Sequence, residues 1–497
     1  MSEATETDVA EAAAPADAED GQAGAAAQPE PFERKLDARL ILSIVAAGIM
    51  GFAGAVVETA MNITFPTLME EFGVSTATVQ WITTGYLLVL AIIMPISAFL
   101  KRRFKMRTLF IWAASLFFVG TLMCATAPVF GLVIAGRLVQ GVGTGISMPL
   151  MYNIVIDQAP RDKMGMMMGL VMFVGLIAPA VGPSLGGLIV TYLGWRMIFV
   201  VLMPFILLAL VLGALTIRQA TPTERVGFNV PQFIVLGLSF TCLVFATSSA
   251  STAGWLSAQV LGLLAGFVVL LVLFYFMASR SDDPLIHVEV LKSAPFTFGL
   301  LYIPLFASTI LGLGYLIPNY AELVFDYSEF AAGCLLLPGV LVGAVLSPLA
   351  GRILDRYGAK RPILTGAICQ FVAMALFAAV GCRAGVLWMA AIYVLTTIGQ
   401  GLSGSNTMTN SLSYLPDNLK ADGNACYNTL QQLGGAVGTA VATSIVNAAQ
   451  AGAADIAVAT SVGVQQAFWV LLGVSGAALA CSIAVFVAAA RQQKSAK

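Results

Sequence analysis

The sequence predicts an all-α integral membrane protein with 14 transmembrane helices, arranged as two pseudo-symmetric six-helix bundles plus two central extra helices. Three observations predict it. The 497 residues are 59% hydrophobic and 10% charged, with a mean hydropathy of +0.89, whereas a soluble chain carries roughly 25% charged residues. Apolar runs of about 20 residues, each long enough to cross ~30 Å of hydrocarbon as a helix, recur all along the chain. The basic residues fall almost entirely in alternate connections between those runs.

Taken in order, residues 1–37 stand apart. They hold ten acidic and two basic residues and many alanines, the composition of a disordered acidic tail. They lack the basic start and early apolar run of a signal peptide. Spans then follow at 40–65, 76–100, 108–127, 130–156, 166–191, 196–217, 230–250, 256–279, 295–318, 329–351, 361–381, 385–410, 424–448 and 466–490. An even number of crossings puts both termini on one side. Of the 25 Lys and Arg, 22 lie on that side, Arg137 lies within a span, and only Arg196 and Arg383 lie opposite. The positive-inside bias therefore makes the termini and the loop with Lys101, Arg102, Arg103, Lys105 and Arg107 cytoplasmic, in the cell (inner) membrane.

A faint repeat divides the chain. Gly351, Asp355, Arg356, Gly358, Lys360 and Arg361 form G-x-x-x-D-R-x-G-x-K-R, and a degraded counterpart lies 254 residues earlier at Ser97, Lys101, Arg102, Phe104, Met106 and Arg107. Repeats that rock about a midplane site are how many carriers alternate access. The expected division is residues 38–220 as the first six-helix bundle, 221–292 as two extra helices and a cytoplasmic linker, 293–491 as the second bundle and 492–497 as a tail. Seven scattered Cys without a CxxC pair and a single His, His287, give no metal site and no disulfide framework. G-x-x-x-x-G-K-[ST] is absent, so ATP does not drive the protein directly. No cofactor is expected. The basic loop faces anionic lipid rather than nucleic acid.

Four local patterns point to a family. The first span reads Val57-Glu58-Thr59-Ala60-Met61-Asn62-Ile63-Thr64-Phe65-Pro66, close to L-D-x-T-I-V-N-V-A-L-P. The fourth reads Gly136-Arg137-Leu138-Val139-Gln140-Gly141-Val142-Gly143, an R-x-x-Q-G-x-G pattern. The fifth carries Gly169, Ala178 and Gly182-Pro183-Ser184-Leu185-Gly186-Gly187. The loop at 351–361 is the fourth. In these patterns the chain resembles the fourteen-span drug:proton antiporters of the major facilitator superfamily, over residues 40–490. The resemblance implies proton-coupled export of a lipophilic small molecule by a monomeric, non-enzymatic carrier. Gradient-linked uptake of an organic solute and a non-transporting receptor are the alternatives. Two positions depart from the family. Its first-span Asp aligns with Val57, with the acid one place later at Glu58. Its Asp in the first basic loop is Lys101, so only Asp355 keeps the loop pairing, and Asp355→Asn is expected to impair transport more than Lys101→Ala.

Glu58 is the only acid well inside a span and Arg137 the only base. Both lie about eight residues, ~12 Å, below the same surface. A charge at that depth costs about 2.5–3.5 kcal/mol and usually faces a cavity or a partner, so the two are read either as a proton-coupling pair or as a static buried ion pair. Asn62, Gln80, Trp81, Tyr86, Asn153 and Gln431 are the candidate substrate contacts, few polar anchors in an apolar pocket. Gly169, Gly182, Pro183, Gly186 and Gly187 are read as a close-packing and bending motif, and Gly351, Asp355, Arg356 and Gly358 as a conformational brace. The segment around His287 reads as an interfacial stretch anchored in headgroups. On a background without native cysteines, an impermeant thiol reagent applied to intact cells is expected to label position 325 and to spare position 105. The opposite pattern reverses the orientation.

Overall fold

A computed structural model describes residues 35–495, and the expected acidic tail lies outside the described residues apart from its last three. Asp37 belongs to the fold instead. Its carboxylate accepts from the Leu40 N–H at 2.9 Å, capping the first helix, and pairs with Arg218 at 2.8 Å. The Leu40 N–H and the Arg218 guanidinium hold this carboxyl below its usual range.

The described residues form 14 long helices: α1 Ala38–Ile63, α2 Trp81–Arg103, α3 Met106–Ala125, α4 Phe130–Gln158, α5 Met164–Leu193, α6 Arg196–Thr216, α7 Val230–Ala253, α8 Ala258–Ser279, α9 Ala294–Phe325, α10 Leu337–Tyr357, α11 Lys360–Ala384, α12 Val386–Ser413, α13 Lys420–Gln450 and α14 Ile456–Ser495. Thirteen of them contain stretches apolar and long enough to cross a membrane. The exception, α13, carries Asp422, Asn424, Asn428 and Thr429, which lower its hydropathy and are buried in the protein. Helix is the form that satisfies every backbone group inside a bilayer.

Several boundaries differ from the sequence reading. The expected span 76–100 begins at Trp81, because Thr76–Val79 is a separate short helix. The span 329–351 also splits, into Glu329–Cys334 and α10, where Pro338 sits in the first turn and needs no N–H partner. Helix α14 starts ten residues earlier than expected, at Ile456. There Asp455 accepts from the Val458 N–H at 3.0 Å, and Gln465 donates to the Ala378 carbonyl at 2.6 Å. Polar residues in that stretch hid a helix that tertiary contacts support.

Helices α1–α6 and α9–α14 repeat one set of neighbours at an offset of eight. As α1 packs on α4, α5 and α6, so α9 packs on α12, α13 and α14; α3 on α4 and α6 matches α11 on α12 and α14; α2 on α4 matches α10 on α12. The two sets meet along two seams, α5 against α10 and α2 against α13. The pair α7–α8 lies beside the second seam, with α7 touching both α2 and α13.

Glycine sets the closeness of the first seam. A Cβ on Gly351 would stand 2.1 Å from the Gly165 carbonyl oxygen, and one on Gly169 would stand 2.6 Å from the Ser347 carbonyl oxygen. Both obstacles are backbone and cannot rotate away. Gly351→Ala is therefore expected to push α5 from α10 and cost about 1–3 kcal/mol, as overpacking does, lowering the thermal midpoint of the detergent-purified protein. Gly314→Ala, where a Cβ meets nothing within 4 Å, is the control and should leave the midpoint unchanged or raise it.

Candidate transport site

Glu58 sits near the end of α1, one turn beyond Gly54 and one turn before Asn62. Arg137 projects from α4 and is fully buried. The two do not form the ion pair the sequence allowed: no contact within 4.0 Å joins them, although Glu58 lies within electrostatic reach of the guanidinium. Arg137 is held by other groups. Its Nε donates to the Ile82 carbonyl at 3.3 Å and Nη1 donates to Gln140 Oε1 at 2.9 Å. Its guanidinium carbon lies 4.1 Å from the centre of the Tyr86 ring, a cation–π contact worth about 2 kcal/mol when desolvated. Gln140 in turn donates to Thr121 Oγ1 at 2.8 Å. Nη2 is left buried with no hydrogen-bond partner.

Tyr86 links this charge to α1. Its hydroxyl donates to Thr144 Oγ1 at 3.0 Å and reaches the Gly54 carbonyl at 3.4 Å. Tyr86 has no exposed surface in this conformation. Asn153 is 1% exposed and accepts from Asn424 Nδ2 at 3.0 Å, tying α4 to α13. Asn62 remains accessible and accepts from Thr83 Oγ1 at 3.0 Å. Gln80 is exposed at the start of α2, Trp81 stacks on Phe245 of α7 at 5.5 Å, and Gln431 is half-buried on α13.

The α5 glycine motif serves two surfaces. Gly165 and Gly169 face α10 across the seam, whereas Gly182 and Gly186 face α1. A Cβ on Gly182 would lie 1.9 Å from Thr59 Oγ1, and one on Gly186 would lie 2.6 Å from Ala60 Cβ. Thr59 and Ala60 directly follow Glu58, so one helix touches both the seam and the backbone that carries the acid. Gly187 has room, with Ile63 at 3.9 Å. Pro183 lies within α5. A separate apolar cleft of about 550 Å³ opens between α1, α5 and α6.

At the end of the molecule carrying the 101–107 loop, which we call the basic end, both seams are closed by polar contacts. Asp355 accepts from the N–H groups of Gly165 and Met166 at 2.7 and 2.9 Å, capping α5. Gly358 ends α10 at φ +85°, a conformation that suits glycine, and Arg356 lies over the Tyr357 ring. The second seam does not lack a brace, contrary to the sequence reading. Arg102 reaches across it to Asp422 on α13 at 3.2 Å. Lys101 forms a buried pair at 2.7 Å with Asp157 of α4, inside the first set. The bridging group is therefore the base that follows Lys101, and the carboxylate stands on the opposite helix. Asp157, Asp422, Gln140 and His287 are the contributors that sequence reasoning missed. Arg102 and Asp422 are 320 residues apart, so no spacing rule links them. At the opposite end Glu71 accepts from the Trp195 indole and pairs with Arg196, both at 2.7 Å. Arg196 and Trp195 hold the Glu71 carboxyl below its usual range.

Membrane-length helices in two sets with matching neighbours, joined at the basic end by polar contacts, are the architecture of a multi-pass membrane transporter. The chain belongs to the major facilitator superfamily, whose sequence profile matches residues 47–439. The family read from the four motifs is thus the family found. Its relatives include the lincomycin resistance protein LmrB of Listeria monocytogenes, 36% identical over 452 residues, covering 89% of this chain and 96% of that protein. LmrB of Bacillus subtilis is 35% identical over 84% of this chain and 90% of its own. The putative multidrug resistance protein MdtD of Salmonella paratyphi A is 27% identical over 81% and 85%. Among solved structures, the human organic anion transporter MFSD10 matches with a TM-score of 0.63 over 88% of this chain and 99% of that one. At 14% identity this likeness is one of fold.

For stability, as distinct from transport, these contacts rank Lys101→Ala as the costlier change. Lys101→Ala strands Asp157, which is 7% exposed, and removing one member of a buried pair costs about 3–5 kcal/mol. Asp355→Asn keeps a neutral acceptor and loses part of two charge-assisted bonds, about 1.5–3 kcal/mol. Thermal midpoints are expected to fall further for Lys101→Ala, and the double substitution Lys101→Ala with Asp157→Asn should recover part of the loss.

Proposed function

We propose that this chain is a proton-coupled exporter of lipophilic small-molecule drugs in the cell (inner) membrane, working as a monomer by alternating access, with both termini and the basic end in the cytoplasm. The observation that carries the reading is Glu58: a carboxyl group deep in a span, near a buried arginine but not bonded to it. The named resistance functions of the relatives and the glycine motif of α5 support export over uptake. Lincomycin, named in two of the relatives, is the first compound to test.

In this scheme the structure corresponds to a cytoplasm-closed state. Glu58 takes a proton from the outer side while it is apart from Arg137. When the two sets of helices rock, α5 carries its contacts with α10 and with Thr59 and Ala60 together, and the surroundings of Glu58 change with the seam. Nη2 of Arg137 is the donor available to the ionised carboxylate, and forming that bond favours proton release. Coupling requires such a difference in proton affinity between the two conformations. Asn62, Gln80, Trp81 and Gln431 are the polar and aromatic contacts proposed for the substrate. Asn62 lies one turn from Glu58 on the same face.

Glu58→Gln holds the side chain neutral. In proteoliposomes under an imposed pH gradient it is expected to abolish concentrative uptake of a neutral substrate while downhill exchange survives. Accumulation equal to wild type would remove Glu58 from the coupling role. Arg137→Ala is expected to harm folding through loss of the Ile82, Gln140 and Tyr86 contacts as well as coupling, so its expression level must be matched before flux is compared.

A further inference from the structure

The two seams at the basic end are built differently. Along α5–α10 the closure has two components, the Asp355 carboxylate and the α5 backbone. Along α2–α13 a third component enters, the segment 283–290 between α8 and α9. Asp422, with no exposed surface, accepts from Arg102 Nη1 at 3.2 and 3.3 Å and from the backbone N–H of His287 at 2.9 Å. The His287 ring also lies against both, with Nδ1 3.4 Å from Asp422 Oδ2 and in contact with Arg102 Nη1. Arg102 Nη2 donates to the Pro284 and Leu285 carbonyls at 2.8 and 3.4 Å. The Leu285 N–H is bound by Gln232 Oε1 of α7 at 2.8 Å. Leu285 and Ile286 are 1% and 6% exposed and join a cluster with Phe99 of α2, Leu236 of α7 and Leu433 of α13. These side chains are packed in protein rather than anchored in headgroups, which corrects the sequence reading of this segment.

We propose that residues 283–290 form a strap that latches the basic end closed across the α2–α13 seam, and that α7 and α8 serve to hold it there. A buried carboxylate needs its acceptor sites filled, and the strap fills one while also occupying the second terminal nitrogen of Arg102. Parting α2 from α13 breaks the Arg102–Asp422 pair. The strap can follow only one of the two, so opening also breaks either its bonds to Arg102 or its bond to Asp422. Closure therefore depends on a segment outside both sets of six helices. The proposal uses the alternating-access reading but not the proton or drug assignment.

The test is the distance between spin labels at Lys105→Cys and Asn418→Cys, both at exposed positions, in the full-length protein without native cysteines and in lipid. His287→Pro deletes the N–H to Asp422 at a residue whose φ of −73° proline accepts, whereas His287→Ala deletes only the ring. Leu285→Ser with Ile286→Ser undocks the strap without touching Arg102 or Asp422. The ratio of long to short distances is expected to rise about tenfold in His287→Pro, the worth of one charge-assisted hydrogen bond, and less in His287→Ala. Wild-type distributions in both His287→Pro and the Leu285/Ile286 variant overturn the proposal. If either fails to fold, Gln232→Ala, which frees the Leu285 N–H from α7, decides: a severalfold rise supports the strap and no change overturns it. The measurement uses neither substrate nor pH gradient, so failure of the efflux reading leaves its outcome intact.

Discussion

Hydrocarbon solvates neither a peptide group nor a charge, and most of this structure answers to that constraint. Backbone groups are satisfied within helices, so the chain crosses as long helices joined by short connections. Among the described residues, most charges inside the protein have partners. Arg137 is held by a carbonyl, an amide and an aromatic face. Asp422 draws on a guanidinium and a backbone N–H. Lys101 and Asp157 neutralise each other. Glu58 is the exception, joined by no hydrogen bond or ion pair to the described residues around it.

Without a hydrophobic force between helices in lipid, close approach falls to small residues. Helix α5 uses this twice, toward α10 through Gly165 and Gly169 and toward α1 through Gly182 and Gly186. Movement at the seam therefore has a rigid route to the turn that bears Glu58. The glycine motif thus packs one helix against both the interface and the turn that bears the acid.

The basic end shows how one job can be done by exchanged parts. On the α5–α10 seam a carboxylate caps a helix start. On the α2–α13 seam the end of α2 contributes a base, Arg102, and the acid, Asp422, stands in the first turn of α13. Favourable electrostatics survive the exchange because attraction depends on the pair and not on which helix bears which sign. A motif compared position by position records a loss at Lys101; the fold places the bridging pair one residue on, at Arg102 and Asp422.

The sequence alone determined the membrane class, the approximate span positions, the repeat and the family, because hydropathy, charge asymmetry and local motifs are properties of contiguous stretches. It also marked Glu58 and Arg137, since a charge in an apolar run stands out whatever surrounds it. Only the tertiary structure decided their partners. Tyr86 and Asn153 are both buried in this conformation, which their polarity within a span does not reveal. Helix α13 lacks the apolarity of a span, yet it is a full-length helix because its polar face is buried against other helices. Arg102, His287 and Asp422 come from three distant segments, and contacts of that kind depend on how helices pack, which no local pattern encodes.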